Sequence, residues 1–166
     1  MINSAAKLGF TYTIETVRNG VVVDTEVVHN IIPTEGINYL LNVGFKGGAQ
    51  NATWYLGLYS GNYTATSADT MAAFPAAATE SVAYAETARQ TFTSGSVAVG
   101  SLDNSASVAT FTSNAAQTIY GGFMSSSSVK AGTSGVLASV VRFGSPKVLG
   151  IGDLLKVTAG IAAASA

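Results

Sequence analysis

From Arg89 onward, short β-prone runs alternate with turn residues at nearly regular intervals, and this rhythm restricts the fold more than any other feature. The runs are 90–92, 97–102, 108–112, 118–124, 136–143 and 154–161. Between them, Asp103-Asn104, Ser113-Asn114, residues 130–135 and residues 150–153 carry the side chains and glycines that turns need. Short strands at such spacing predict an antiparallel sandwich or barrel, because parallel βαβ units need helices between strands.

The beginning of the chain fits the same class. Phe10, Tyr12 and Ile14 alternate with Thr11, Thr13 and Glu15, a period of two that places the apolar set on one face of a strand. Asn19-Gly20 then supplies the two positive-φ positions of a type I′ turn, and residues 21–28 return. The spacing of Ile37, Leu40 and Leu41 predicts a short helix that starts near Pro33 or Thr34 and ends before Gly44. Gly36 weakens that helix, since glycine costs about 1 kcal/mol relative to alanine. In residues 53–59, Trp54, Leu56 and Leu58 share one face, with Tyr55 and Tyr59 on the other; a strand apolar on both faces is central. A helical turn is expected over 67–73, capped by Ser67.

The expected fold is mainly β: an antiparallel, jelly-roll-like β-sandwich with one or two short helices and an N-terminal hairpin. Residues 1–30 are read as that hairpin, able to act as an intersubunit arm, and residues 31–166 as the sandwich domain. No long internal repeat is visible.

Only 10% of the residues are charged and the formal net charge is −1. Such a surface, rich in Ser, Thr, Ala, Gly and Asn, is cheap to desolvate, and protein interface cores are likewise poor in Lys, Glu and Asp. The composition points to a subunit that buries much of its outside against copies of itself or other proteins; a monomer solubilised by hydroxyl groups is the alternative. Eight dispersed basic residues make no stripe for a phosphate backbone, so nucleic acid is not an expected partner. No apolar run approaches the 18 residues of a membrane helix, and Met1 to Phe10 lacks the apolar segment of a signal peptide. The expected origin is a cytoplasm. Cysteine is absent, which removes disulfides and thiolate metal sites.

Chemistry-bearing constellations are weak. His29 lacks a nearby nucleophile and reads as a polar strand end. Asp24 and Glu26 share a strand face, which more often means a solvated face than an acid–base pair across a cleft. Ser127-Ser128-Val129-Lys130 matches S-x-x-K, but in a serine-rich loop instead of at a helix start. Gly150-Ile151-Gly152 opens like a dinucleotide loop, yet Leu155 stands where the third glycine belongs. Asn51-Ala52-Thr53 and Asn62-Tyr63-Thr64 are formal glycosylation sequons. Trp54, Tyr55, Tyr59 and Tyr63 suit a core, with a sugar- or partner-binding surface as the alternative. No catalytic, cofactor or metal residue is assigned. Partner contact is assigned to Phe10, Tyr12, Ile14, Val21, Val23, Tyr59 and Tyr63.

Trp54-Tyr55-Leu56-Gly57-Leu58-Tyr59, then Ala68-Asp69-Thr70-Met71 and the stretch from Glu80 to Arg89, resemble a recurrent family of small structural proteins of tailed bacteriophages. Asn104-Ser105-Ala106, Ile119-Tyr120-Gly121-Gly122-Phe123 and Gly152-Asp153-Leu154-Leu155-Lys156-Val157-Thr158 fit the same pattern. The resemblance runs from Asn30 onward and excludes the hairpin. It implies a non-enzymatic virion component made in the host cytoplasm. Such a protein is a head decoration or cement protein that binds itself and major capsid or other virion proteins. The alternative is a tail-associated or tail-fibre subunit that binds a receptor or glycan.

Overall fold

The computed structural model describes residues 6–165. Two strands, β1 (Ala6–Arg18) and β2 (Val21–His29), form the hairpin, and Asn19 and Gly20 take φ of 51° and 79° as a type I′ turn requires. Helix α1 (Thr34–Phe45) and β3 (Tyr55–Tyr59) follow, then the single turn α2 (Phe74–Ala77). The remaining strands are β4 (Glu80–Ser81), β5 (Gln90–Thr91), β6 (Ser101–Asp103), β7 (Ala109–Thr112), β8 (Gln117–Ser125), β9 (Leu137–Leu149) and β10 (Leu154–Ser165).

These strands make two five-stranded antiparallel sheets, a β-sandwich as the turn rhythm predicts. One sheet runs β2-β1-β10, with β6 and β7 pairing successive parts of the outer edge of β10. The other runs β3-β8-β9, with β4 and β5 sharing the outer edge of β3 in the same way. Each broken edge is bridged by side chains. Between β6 and β7, the buried Asn104 amide accepts from the Ala159 N–H at 2.7 Å and donates to the Val157 carbonyl at 3.2 Å, replacing the missing ladder. Between β4 and β5, Glu80 and Arg89 meet as a buried ion pair.

Phe10, Tyr12 and Ile14 from β1, Leu56 and Leu58 from β3, Phe111 from β7, and Leu155 and Val157 from β10 fill the space between the sheets. A second core forms on the far face of β3 and β8, where Tyr59, Phe123 and Val140 meet Met71, Phe74 and Ala78 from the 60–79 connection. The strand at 55–59 is therefore central and covered on both faces, as its two apolar faces predict.

Four local expectations need correction. The first thirty residues are not an arm beside a separate domain. β1 lies between β2 and β10 and pairs with β10 from Ala6↔Ser165 to Val17↔Leu154, so the hairpin is part of the sandwich. The run 97–102 is not one strand: Val99 and Gly100 take positive φ, and Ala98 and Ser101 exchange backbone hydrogen bonds across that turn. The helical turn falls after 67–73, at Phe74–Ala77, where Pro75 sits in the first turn with no N–H to satisfy. Finally, α1 runs through Gly44, and Gly47, with φ of 69°, follows its end.

Candidate partner-binding surfaces

Helix α1 is held to the sandwich by unusually small and polar contacts. Gly36 is its one buried residue. A Cβ there would lie 2.8 Å from the Ala138 carbonyl oxygen, so only glycine lets the helix approach β9 this closely. The Glu35 carboxylate accepts from the Met71 amide at 2.9 Å and the Leu137 amide at 2.6 Å, fastening the first turn to two other segments. Farther along, Tyr39 packs edge-on against Trp54 with centroids 5.3 Å apart, and its hydroxyl accepts from the Asn51 amide.

With its inner side made of Gly36, Tyr39 and Val43, the helix turns the predicted apolar stripe outward. Ile37, Leu40 and Leu41 are exposed, and Phe45 at the end of the stripe is 85% exposed. A groove runs between this stripe and the start of β1, lined by Lys7, Leu8, Ile32, Ile37, Leu40 and Leu41. A helix that is apolar on both sides is normally buried on both sides.

A second exposed apolar area lies at the hairpin end. Val21, Val22 and Val23 are exposed there, as is Val148 of β9, whose carbonyl accepts from Arg18 at 3.2 Å. Val23 lines a shallow cleft with Pro146 and Val148. Polar contacts fix this end. Arg18 donates to both oxygens of Asp153, at 2.8 Å from Nη2 to Oδ2, and holds that carboxyl below the usual carboxylate range together with the Gly150 amide. Asp24 and Glu26 do not face solvent freely. Both accept from the nearly buried Lys147 ammonium, at 2.7 and 2.5 Å; burial opposes that charge, yet these partners hold the Lys147 pKa above its ordinary value. Two carboxylates pointing inward from β2 and a bulge where Thr16 gives way to Val17 also guard this edge strand against pairing with another chain.

The residues assigned to partner contact divide sharply. Val21 and Val23 lie on the surface. Phe10, Tyr12 and Ile14 are core residues, because the face they share is the inner face of β1; Tyr12 donates to Ser139 Oγ at 2.9 Å, and burial pushes its phenol well above the ordinary range. Tyr59 is also fully buried, donating to the Val141 carbonyl at 3.1 Å, and its pKa is pushed up to about 12 by burial. Tyr63 is half-buried; it donates to Asp69 Oδ1 at 2.6 Å and lies edge-on to Phe74. The four aromatics considered for a sugar surface form no common platform: Trp54 packs on Tyr39, Tyr59 is inside, and Tyr63 belongs to the second core.

The weak motifs are occupied in other ways. Lys130 lies 3.6 Å from the Tyr84 ring centroid and donates to the carbonyls of Tyr84 and Val82, at 2.9 and 3.3 Å. His29 Nδ1 lies 3.3 Å from the Thr11 hydroxyl on the surface. Among the described residues no cluster of three or more His, Asp or Glu side chains could hold a metal ion, and no helix is long and apolar enough to cross a membrane.

Sequence reading missed which side of α1 faces out. The available signal was Gly36, a glycine in the first turn of an otherwise good helix.

Fold and surface together define a charge-poor antiparallel β-sandwich with two exposed apolar areas. Comparison with protein-family models and with curated protein sequences returns no match for this chain.

Proposed function

We propose that this chain is a non-enzymatic structural subunit of a tailed-phage virion, a capsid decoration or cement protein that binds both itself and the capsid. The observation that carries this reading is that most of the large exposed apolar side chains among the described residues gather in two places, the α1 stripe and the hairpin end, with Val82, Val97, Val99 and Val129 exposed elsewhere. Two separate areas suit a subunit with two kinds of neighbour. At the α1 stripe the low charge content means that little ionic desolvation opposes covering it, and at the hairpin end Arg18, Asp24, Glu26, Lys147 and Asp153 are already paired with one another. The phage assignment rests on the resemblance of the segments from Trp54 to Thr158. A glycan-binding tail module has less support, since the candidate aromatics form no shared surface.

Co-sedimentation of the purified chain with capsids assembled from the same viral genome tests the proposal. The chain should pellet with capsids, and Val21→Ser combined with Val23→Ser should leave it in the supernatant with its fold intact. A folded chain that never pellets with capsids would remove the cement assignment.

A further inference from the structure

Between α1 and the sandwich lies an apolar cavity of about 160 Å³. Phe10, Tyr39, Leu40, Val43, Trp54 and Ile161 are among the residues that line it. Its mouth lies at the edge of the outward stripe, since Leu8 and Leu40 line both the cavity and the neighbouring groove. Apolar cavities of roughly 150 Å³ stay dry and accept a benzene ring. The size and lining therefore fit one phenyl group. Two residues beyond Val43, Phe45 presents such a ring with 85% of its surface in water.

We propose that a second copy of this chain covers α1, and that Phe45 of each copy enters the cavity beside α1 of the other. This deepens the structural-subunit reading and rests on it. Three observations favour a copy of the same chain as the occupant. First, ring and cavity both belong to α1, the cavity lined from Gly36 to Val43 and the ring at Phe45. Two copies can then exchange them reciprocally about a two-fold axis, which closes the assembly instead of propagating it. Second, Leu8, Ile37, Leu40, Leu41 and Phe45 together expose roughly 500 Å² per copy, most of the ~800 Å² per partner that a standard stable interface buries. Third, the charged side chains at this face are Glu35, already engaged by two amides, and the lysines Lys7 and Lys46. Facing copies therefore bring no pair of free carboxylates together.

Sedimentation equilibrium and light scattering of the full chain over a range of concentrations test the proposal. The wild type should show twice the monomer mass. Phe45→Ala removes the ring and should weaken association at least about tenfold, as loss of a central anchor does. Val43→Phe fills the cavity from its own helix and should weaken association similarly while Phe45 is intact. Val22→Thr, at the hairpin end, should associate like the wild type. Circular dichroism verifies the fold of each variant; should Val43→Phe not fold, the exposed Phe45 decides alone. A monomeric wild type, or a Phe45→Ala variant that associates normally, overturns the inference. A monomer that still pellets with capsids would overturn only the self-association. A Phe45-dependent dimer that ignores capsids would overturn only the cement assignment.

Discussion

The Arg89 guanidinium and the Glu80 carboxylate meet in a two-point pair, Nε to Oε1 at 2.8 Å and Nη2 to Oε2 at 2.7 Å, with both side chains buried. The other Arg89 donors reach Ser125 Oγ and the carbonyls of Ser127 and Gly132, so all five N–H groups are used. Glu80 Oε2 also accepts from the Ala131 amide, and the guanidinium lies 5.1 Å from the Phe123 ring centroid. One ion pair thereby ties β4, the start of β5 and the 127–132 loop into the sheet edge.

Removing one partner should cost far more than removing both. Arg89→Ala leaves a buried carboxylate without its counter-charge, which should destabilise the fold by about 3–5 kcal/mol in urea unfolding. Replacing the pair with Arg89→Met and Glu80→Leu should recover much of that loss, because an apolar pair needs no desolvation of charge. A double variant as unstable as Arg89→Ala alone would show that the backbone contacts of Arg89, not the pair, hold the loop.

This hub was not legible in the sequence, whereas the hairpin was. Asn19-Gly20 and the alternation around it are local signals, complete within about twenty residues. The burial of Arg89 depends instead on Ser125, Ser127 and Gly132, some forty positions away. In sequence, Arg89 reads only as a charge preceding a strand. Helix α1 is an intermediate case. The spacing of Ile37, Leu40 and Leu41 predicts a helix correctly, but Tyr39 and Val43 supply a second apolar side, and periodicity alone cannot choose between them. Steric contact of Gly36 with β9 makes the choice, and that contact is tertiary.

The glycines of α1 should respond oppositely to alanine. At Gly36 an added Cβ meets the backbone of Ala138 and Leu137 at 2.8 and 3.0 Å, and backbone cannot swing aside. Gly36→Ala should therefore destabilise by about 1–3 kcal/mol despite its gain in helix propensity. At Gly44 no atom lies within 4 Å of the added carbon. Gly44→Ala should stabilise by up to about 1 kcal/mol. Thermal unfolding of the two variants checks both signs, and equal shifts would contradict the tight seam between α1 and β9.

The hairpin end should be acid-labile through Asp153. Hydrogen bonds from Arg18 and the Gly150 amide depress its folded-state pKa below the usual value of about 4 found in unfolded chains. Protonation therefore favours the unfolded chain. The stabilisation is fully present above about pH 4 and disappears as pH falls through the depressed folded value. Asp153→Asn should flatten the pH dependence of stability below about pH 4 and leave its slope near neutrality unchanged. A wild-type acid limb that Asp153→Asn does not alter would exclude this pair as its source.

Deleting residues 1–30 should abolish folding instead of freeing a smaller domain. The deletion removes β1 and β2 together and strips the edge of β10 of its ladder from Leu154 to Ser165. It also takes Phe10, Tyr12 and Ile14 out of the main core. Each of those side chains is worth about 1.5–3 kcal/mol in burial alone, against a total stability of about 5–15 kcal/mol for a domain. Circular dichroism of residues 31–166 should show no cooperative melting. Two point variants separate the contributions. Ile14→Ala should cost about 2–5 kcal/mol through lost burial and the cavity left behind. Tyr12→Phe removes one buried hydrogen bond to Ser139, whose hydroxyl also accepts from Asn30 at 2.9 Å, and should cost about 1 kcal/mol. A truncated chain that melts cooperatively near the wild-type temperature would mean that the ten-strand register is not what holds the two sheets together.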